Sequence, residues 1–162
     1  MTRELLESPR LFCTFRVCGR LYGVDILDVK EVTAETTYTR VAHAPDEVLG
    51  MVNIRGHIYL ALDLRRLLGM PATELTRDSR LVLFKPSVGS AFGVVVDHIS
   101  EIQTVDSNGI ESFARNDREN DLANLGRVEL IDAVCKLSGE LLVVLNPRRF
   151  LAVVEQKLSV IA

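Results

Sequence analysis

Three histidines, three cysteines and a scatter of carboxylates are the residues of this 162-residue chain that could do chemistry. Their spacing argues against most of it. His43, His57 and His98 stand at no metal-ligand spacing from Cys13, Cys18 or Cys135, and Cys13 to Cys18 is too long a gap for a usual zinc pair. No phosphate-cradling glycine loop and no Gly-x-Ser-x-Gly elbow occurs. Asp97-His98 has the types of a base and its orienting carboxylate. Neighbours on a strand point to opposite faces, however, so the pair reads as a strand end with two exposed polar residues. The expectation is a chain without catalysis, metal or cofactor.

Bulk properties narrow the class further. The net charge is −3 and the isoelectric point is about 5.6, against a general nucleic-acid binder, which shows a basic stripe. Aromatic residues make up only 6% and tryptophan is absent, which weakens the rival reading of a small-barrel RNA-associated protein. The odd number of cysteines, scattered through apolar strands, reads as reduced, buried thiols in a cytoplasmic protein. The start, Met1 to Pro9, has acidic residues and no apolar segment, so no signal peptide is expected. No apolar run approaches the ~18 residues that span a bilayer.

With so little chemistry, the elements carry the information, and they occur twice. Tyr22-Gly23-Val24-Asp25-Ile26-Leu27-Asp28-Val29-Lys30-Glu31-Val32 returns 70 residues later as the run from Phe92 to Ile102. The run from Gly56 to Leu68 returns 83 residues later as the run from Gly139 to Leu151. Two echoes in one order mean one unit built twice. Each half has only ~80 residues, a marginal size for a core of its own, so the halves should pack on each other.

Hairpins are predicted at Leu11–Val17 with Leu21–Ile26 and at Arg80–Phe84 with Ala91–Val96. Two more turn at Arg55-Gly56 and Ser138-Gly139, in the manner of a type I turn closed by a left-handed glycine. Asp63 and Asn146 are helix N-caps, Pro147 suits the first helical position, and Gly69 stops a single turn over Leu64–Leu68. A closing helix runs from Phe150 to Leu158 with Leu151, Val154 and Leu158 on one face. The polar stretch Ser107 to Arg127 reads as a mobile loop. Two small antiparallel barrels fit this element list better than a parallel sheet. Residues 11–75 form the first half and 76–158 the second, within one domain over 1–162, with exchange of strands between the halves left open.

Where the copies differ, function is the alternative to frame. Arg55 is matched only by Ser138 in the second copy, although a lone exposed arginine is more often a solvated charge than a contact. Glu31 and Glu101 end equivalent strands and by default protect an edge. Arg65-Arg66 and Arg148-Arg149 recur, which favours a structural part such as compensating the carbonyls of a short helical turn. Val29 and Ile102 are core residues by default; if exposed, they point to a partner surface.

The run Arg40-Val41-Ala42-His43-Ala44-Pro45, then Val48 to Gly56 with its Asn53-Ile54-Arg55-Gly56, and then Leu62-Asp63-Leu64, resembles the CheW family. Phe15 to Val32 and Phe92 to Ile102 resemble it too, so the likeness covers roughly Leu11 to Val154. The resemblance implies two five-stranded barrels of the Src-homology-3 kind and no catalysis. It implies an adaptor, cytoplasmic and recruited to membrane receptor arrays, that couples chemoreceptors to the histidine kinase CheA. Its partners would be the kinase's homologous regulatory domain, barrel against barrel, and the receptor's cytoplasmic hairpin tip. By motif position Val29, Glu31 and Arg55 would lie at these contact surfaces, with Glu31 and Arg55 able to pair, and Ile102 is the candidate for the receptor groove. The chain departs from the pattern at Leu60 and Ala42, where relatives commonly carry proline. That leaves open an adaptor of a pilus-motility or other kinase pathway, or a stand-alone relative of the kinase regulatory domain.

Overall fold

Alternation along each strand decides where the apolar side chains of this protein go, and in most strands both faces are buried. The computed structural model describes residues 8–35, 37–112 and 127–161, the last four by backbone alone. The elements run β1 (Arg10–Val17), β2 (Arg20–Asp25), β3 (Val29–Thr33), β4 (Val48–Ile54), β5 (His57–Asp63) and α1 (Leu64–Leu67). There follow β6 (Arg80–Phe84), β7 (Phe92–Val96), β8 (His98–Ile99), β9 (Gln103–Val105), β10 (Ile110–Ser112), β11 (Ile131–Leu137), β12 (Glu140–Leu145) and α2 (Phe150–Ile161).

Two sheets form, each mixing strands from both sequence halves: barrel B takes the unbroken run β3 to β7, and barrel A takes the strands on either side of it. Barrel A has the order β10-β11-β12-β2-β1-β8, with β9 also on β1, and barrel B has the order β3-β6-β7-β5-β4. In barrel A the two short segments β8 and β9 together fill the place that β3 fills in barrel B, and β10 adds an outer edge. The pairing is antiparallel within every hairpin, as the element list predicts. One parallel contact in each barrel, β5 with β7 and β12 with β2, departs from an all-antiparallel reading. The reason is that in each barrel the paired inner strands, β5 with β7 and β12 with β2, are not joined by a tight turn, so nothing forces them to oppose.

Strand alternation sorts the apolar residues into three cores. Phe12, Leu21, Cys135, Leu142 and Val144 fill barrel A, and Val52, Ile54, Tyr59, Ala61, Leu81, Leu83 and Val95 fill barrel B. The opposite faces of the same strands meet between the barrels: Phe15, Tyr22 and Val24 from one, Val82, Phe84, Phe92 and Val94 from the other. This explains why β6 and β7 read as continuous apolar runs rather than alternating ones. Phe150 of α2 closes the shared core, its ring edge-on to Phe84 with centroids 5.9 Å apart. Val153 and Val154 are buried beside it while Leu151 is only half-buried; Leu158, the third member of the expected face, lies outside the described side chains.

The caps behave as their residue types dictate. Asp63 accepts from the N–H of Arg65 at 3.0 Å, and Asn146 from that of Arg148 at 3.0 Å. Other expectations need correction. Arg55 and Gly56 both take positive φ, +49° and +85°, so that turn is the two-residue hairpin kind with both residues left-handed, matching strand twist better than a type I turn. Cys18 is exposed on another such turn, with φ +52°, and is not a buried thiol like Cys13 and Cys135. Ser107–Gly109 is a 3-10 turn and Ile110–Ser112 pairs with β11, so the polar stretch begins as structure, its backbone bonds made whatever its side chains. Residues 113–126 of that stretch lie outside the described residues.

Candidate partner-binding site

Edge strand β3 and the β4–β5 turn are the outermost parts of barrel B, and one ion pair joins them. Glu31 receives two bonds from Arg55, Nη1 at 2.6 Å and Nη2 at 2.7 Å. Such a parallel fork is the strongest geometry open to the two groups. The Arg55 guanidinium holds the Glu31 carboxyl below the usual carboxylate range, and the carboxylate in turn raises Arg55. Arg55 is 73% exposed and Glu31 21%. The turn beneath is set by Asn53, whose Oδ1 accepts from the N–H of Gly56 at 2.8 Å.

Glu31 owes its aim to a bulge. Val29 pairs with Phe84 and Glu31 with Leu83, so Lys30 is an extra residue on β3. An extra residue breaks the alternation and redirects the side chains around it, a common device on edge strands. Lys30 then reaches Tyr59, Nζ to the phenol oxygen at 2.7 Å, at the end of the barrel interior. Val29 is half-buried against the shared core, while Val32 of β3 and Ile58 of β5 are exposed. Val29, Glu31 and Arg55 are therefore one neighbourhood of barrel B.

Ile102 belongs to barrel A, in the link between β8 and β9, and is 57% exposed, not a core residue. Its neighbour Glu101 is fixed by its main-chain oxygen, which accepts from the Thr14 hydroxyl. The structure thus assigns the four sequence candidates to two barrels.

The remaining polar residues are more tied down than their sequence context implies. Asp97 is no solvated strand end: it accepts two bonds from Arg65 and one from the N–H of Cys18, while His98 beside it is exposed. Arg148 pairs with Asp28 at 3.0 Å, and Arg149 donates to Glu129 O at 2.9 Å. Arg65, Arg148 and Arg149 are structural, but through carboxylates and carbonyls outside their own helical turn rather than that turn's carbonyls. Arg16 pairs with Glu140 across barrel A, and buried Glu47 with Lys157 of α2. These contacts are 20 to 124 residues apart in the chain, and only the 83-residue echo of Arg65 in Arg148 hinted that any mattered. Among the described residues no cluster of three histidine, cysteine or acidic side chains could hold a metal ion.

A family model described as the CheW-like domain matches residues 11–155. A chemotaxis protein CheW from Rhizobium meliloti is 36% identical over 110 residues, which cover 67% of this chain and 70% of that one. A protein PilI from Pseudomonas aeruginosa is 32% identical over 89 residues, 55% of this chain and 49% of that one. The crystal structure of scaffolding protein TtCheW from Thermoanaerobacter tengcongensis superposes with a TM-score of 0.74 at 25% identity, over 85% of this chain and 88% of that one. Its two barrels, the Asn53-Ile54-Arg55-Gly56 turn and these likenesses agree, and the chain belongs to the CheW-like domain family.

Proposed function

We propose that this protein is a non-catalytic adaptor that couples chemoreceptors to a CheA-type histidine kinase. Val29, Glu31 and Arg55 contribute to the surfaces that meet the kinase's regulatory domain and the receptor, and Ile102 to the receptor groove. One observation carries the reading: Arg55 is held out on a left-handed turn by a carboxylate from a bulged edge strand, which orders a cation that stays 73% exposed. An adaptor transmits a signal only if its partners bind with different affinities in the two signalling states. No helix among the described residues is long and apolar enough to cross a membrane, which suits a cytoplasmic protein recruited to receptor arrays.

A pull-down with a CheA-type regulatory domain and a receptor-tip fragment is the direct test. A folded sample that bound neither at tens of micromolar would end the adaptor reading. The likeness to PilI favours a second version, an adaptor of a pilus-motility pathway. Deleting the gene separates the two: loss of swimming bias supports the first, and loss of surface motility alone supports the second.

A further inference from the structure

Asp97 stands where the chain leaves barrel B after β7 and enters barrel A at β8. Its N–H donates to Arg16 O of barrel A at 3.1 Å. Its carboxylate accepts from Arg65 of barrel B, Nε at 2.9 Å and Nη2 at 2.5 Å, and from the Cys18 N–H of the β1–β2 turn in barrel A at 2.9 Å. Both side chains of the ion pair are less than a third exposed. One carboxylate therefore grips both barrels.

The opposite crossover, from β2 to β3, is built differently. The Asp28 carboxylate takes one bond from the more exposed Arg148, which belongs to the same barrel A. The bond between barrels there runs from Lys85 N–H to Asp28 O, main chain to main chain, at 3.0 Å. Changing the Asp28 side chain leaves that bond in place; changing the Asp97 side chain removes its bonds from Arg65 and Cys18 and leaves only the main-chain bond to Arg16.

The shared apolar core supplies most of the cohesion between the barrels. Charge-assisted hydrogen bonds are directional. Asp97 also lies five residues before Ile102, and Arg65 follows the strand that begins at the Arg55 turn. We propose that Asp97 is the positioning residue that fixes the angle between the barrels, and that a change at the receptor surface reaches the kinase surface through its junction with Arg65 and Cys18. The second half rests on the adaptor reading above.

Residual dipolar couplings on isotope-labelled full-length protein test the first half with no partner present. One alignment tensor should fit both barrels in the wild type and in Asp28→Asn. Asp97→Asn should need two tensors, with the Cys18 amide exchanging about tenfold faster as it loses a bond to a charged acceptor. A single tensor in Asp97→Asn overturns the proposal. If that variant fails to fold, Arg65→Lys, which keeps the charge and loses the fork, is judged by the same criterion. The second half is read by titrating the kinase regulatory domain with and without the receptor-tip fragment. In Asp97→Asn each affinity should persist while the effect of one partner on the other disappears. Unchanged coupling overturns the signalling half. A wild type that binds neither partner ends both that half and the adaptor reading, and leaves the tensor result standing.

Discussion

Arg55 lies on Glu31 with its two terminal nitrogens 2.6 and 2.7 Å from the two carboxylate oxygens, and so joins the first and last positions of barrel B. The sheet order places β3 at one edge and β4 at the other, and no main-chain ladder connects them. A side-chain fork at the tip of the β4–β5 hairpin does so instead. The pair is exposed, so its contribution to stability is small and screened by salt. Its effect is to hold the arginine in one place.

Arg55→Asn separates contact from frame. Asparagine tolerates the left-handed backbone that arginine adopts here at φ +49°, so the turn should be relieved as the ion pair is lost. The melting temperature is expected to stay within a few degrees while binding of the kinase domain or receptor tip falls several-fold. Thermal melts and binding isotherms check this; a large drop in melting temperature would make Arg55 a structural residue.

The repeated glycines Gly23 and Gly93 should not be equally sensitive to alanine. A Cβ on Gly93 would meet Val82 O at 2.6 Å and Leu83 at 2.9 Å, a clash with main chain that cannot swing away. On Gly23 the nearest atoms are a Leu142 methyl at 3.2 Å and Cys13 O at 3.3 Å. Gly93→Ala should cost about 3 kcal/mol and Gly23→Ala about 1 kcal/mol. Chemical denaturation of both variants gives the comparison.

Asp63 predicts a pH dependence. Burial pushes its carboxyl above the ordinary value, and the N–H groups of Arg65 and Arg66 offset this only in part. A pKa higher in the folded than the unfolded state means the folded protein binds the proton more tightly, so this group favours folding as pH falls into its range. Asn146 does the same capping without charge in the second copy. Asp63→Asn should therefore be as stable as wild type or more so at neutral pH, with the advantage shrinking in acid. Glu31 and Glu140 run the other way: their arginine partners lower their carboxyls, and the stability they lend is lost as pH falls through the depressed values.

Glu47 makes α2 depend on one lysine. Its side chain is 2% exposed, and the Lys157 ammonium lies 2.5 Å from Oε2. Removing the cation strands a buried carboxylate, whereas amidating the carboxylate removes the need for the cation. Lys157→Met should cost about 1–3 kcal/mol, and adding Glu47→Gln should restore most of it. Melting the double-mutant cycle decides this.

Much of the fold is written in local sequence because strands, turns and caps respond to near neighbours. The pairs Gly56 with Gly139 and Asp63 with Asn146 mark the duplicated hairpins and caps, and both caps bond as their types require. The possible partnership of Glu31 with Arg55 is legible from the family pattern, and the fork between them is present. The bulge at Lys30, the exposure of Cys18 and Ile102, and the double grip of Asp97 are not legible. Each depends on which strand lies alongside, and β1 meets β8 and β9 only after some 80 residues of intervening chain. Spacing along a chain reports periodicity, and periodicity says which face is buried but not what buries it. The sequence alone determined two copies of a hairpin frame and the family they belong to. The tertiary structure decided that the copies share strands between two barrels, because only side chains from both, packed into one core, could bury both faces of β1, β2, β6 and β7.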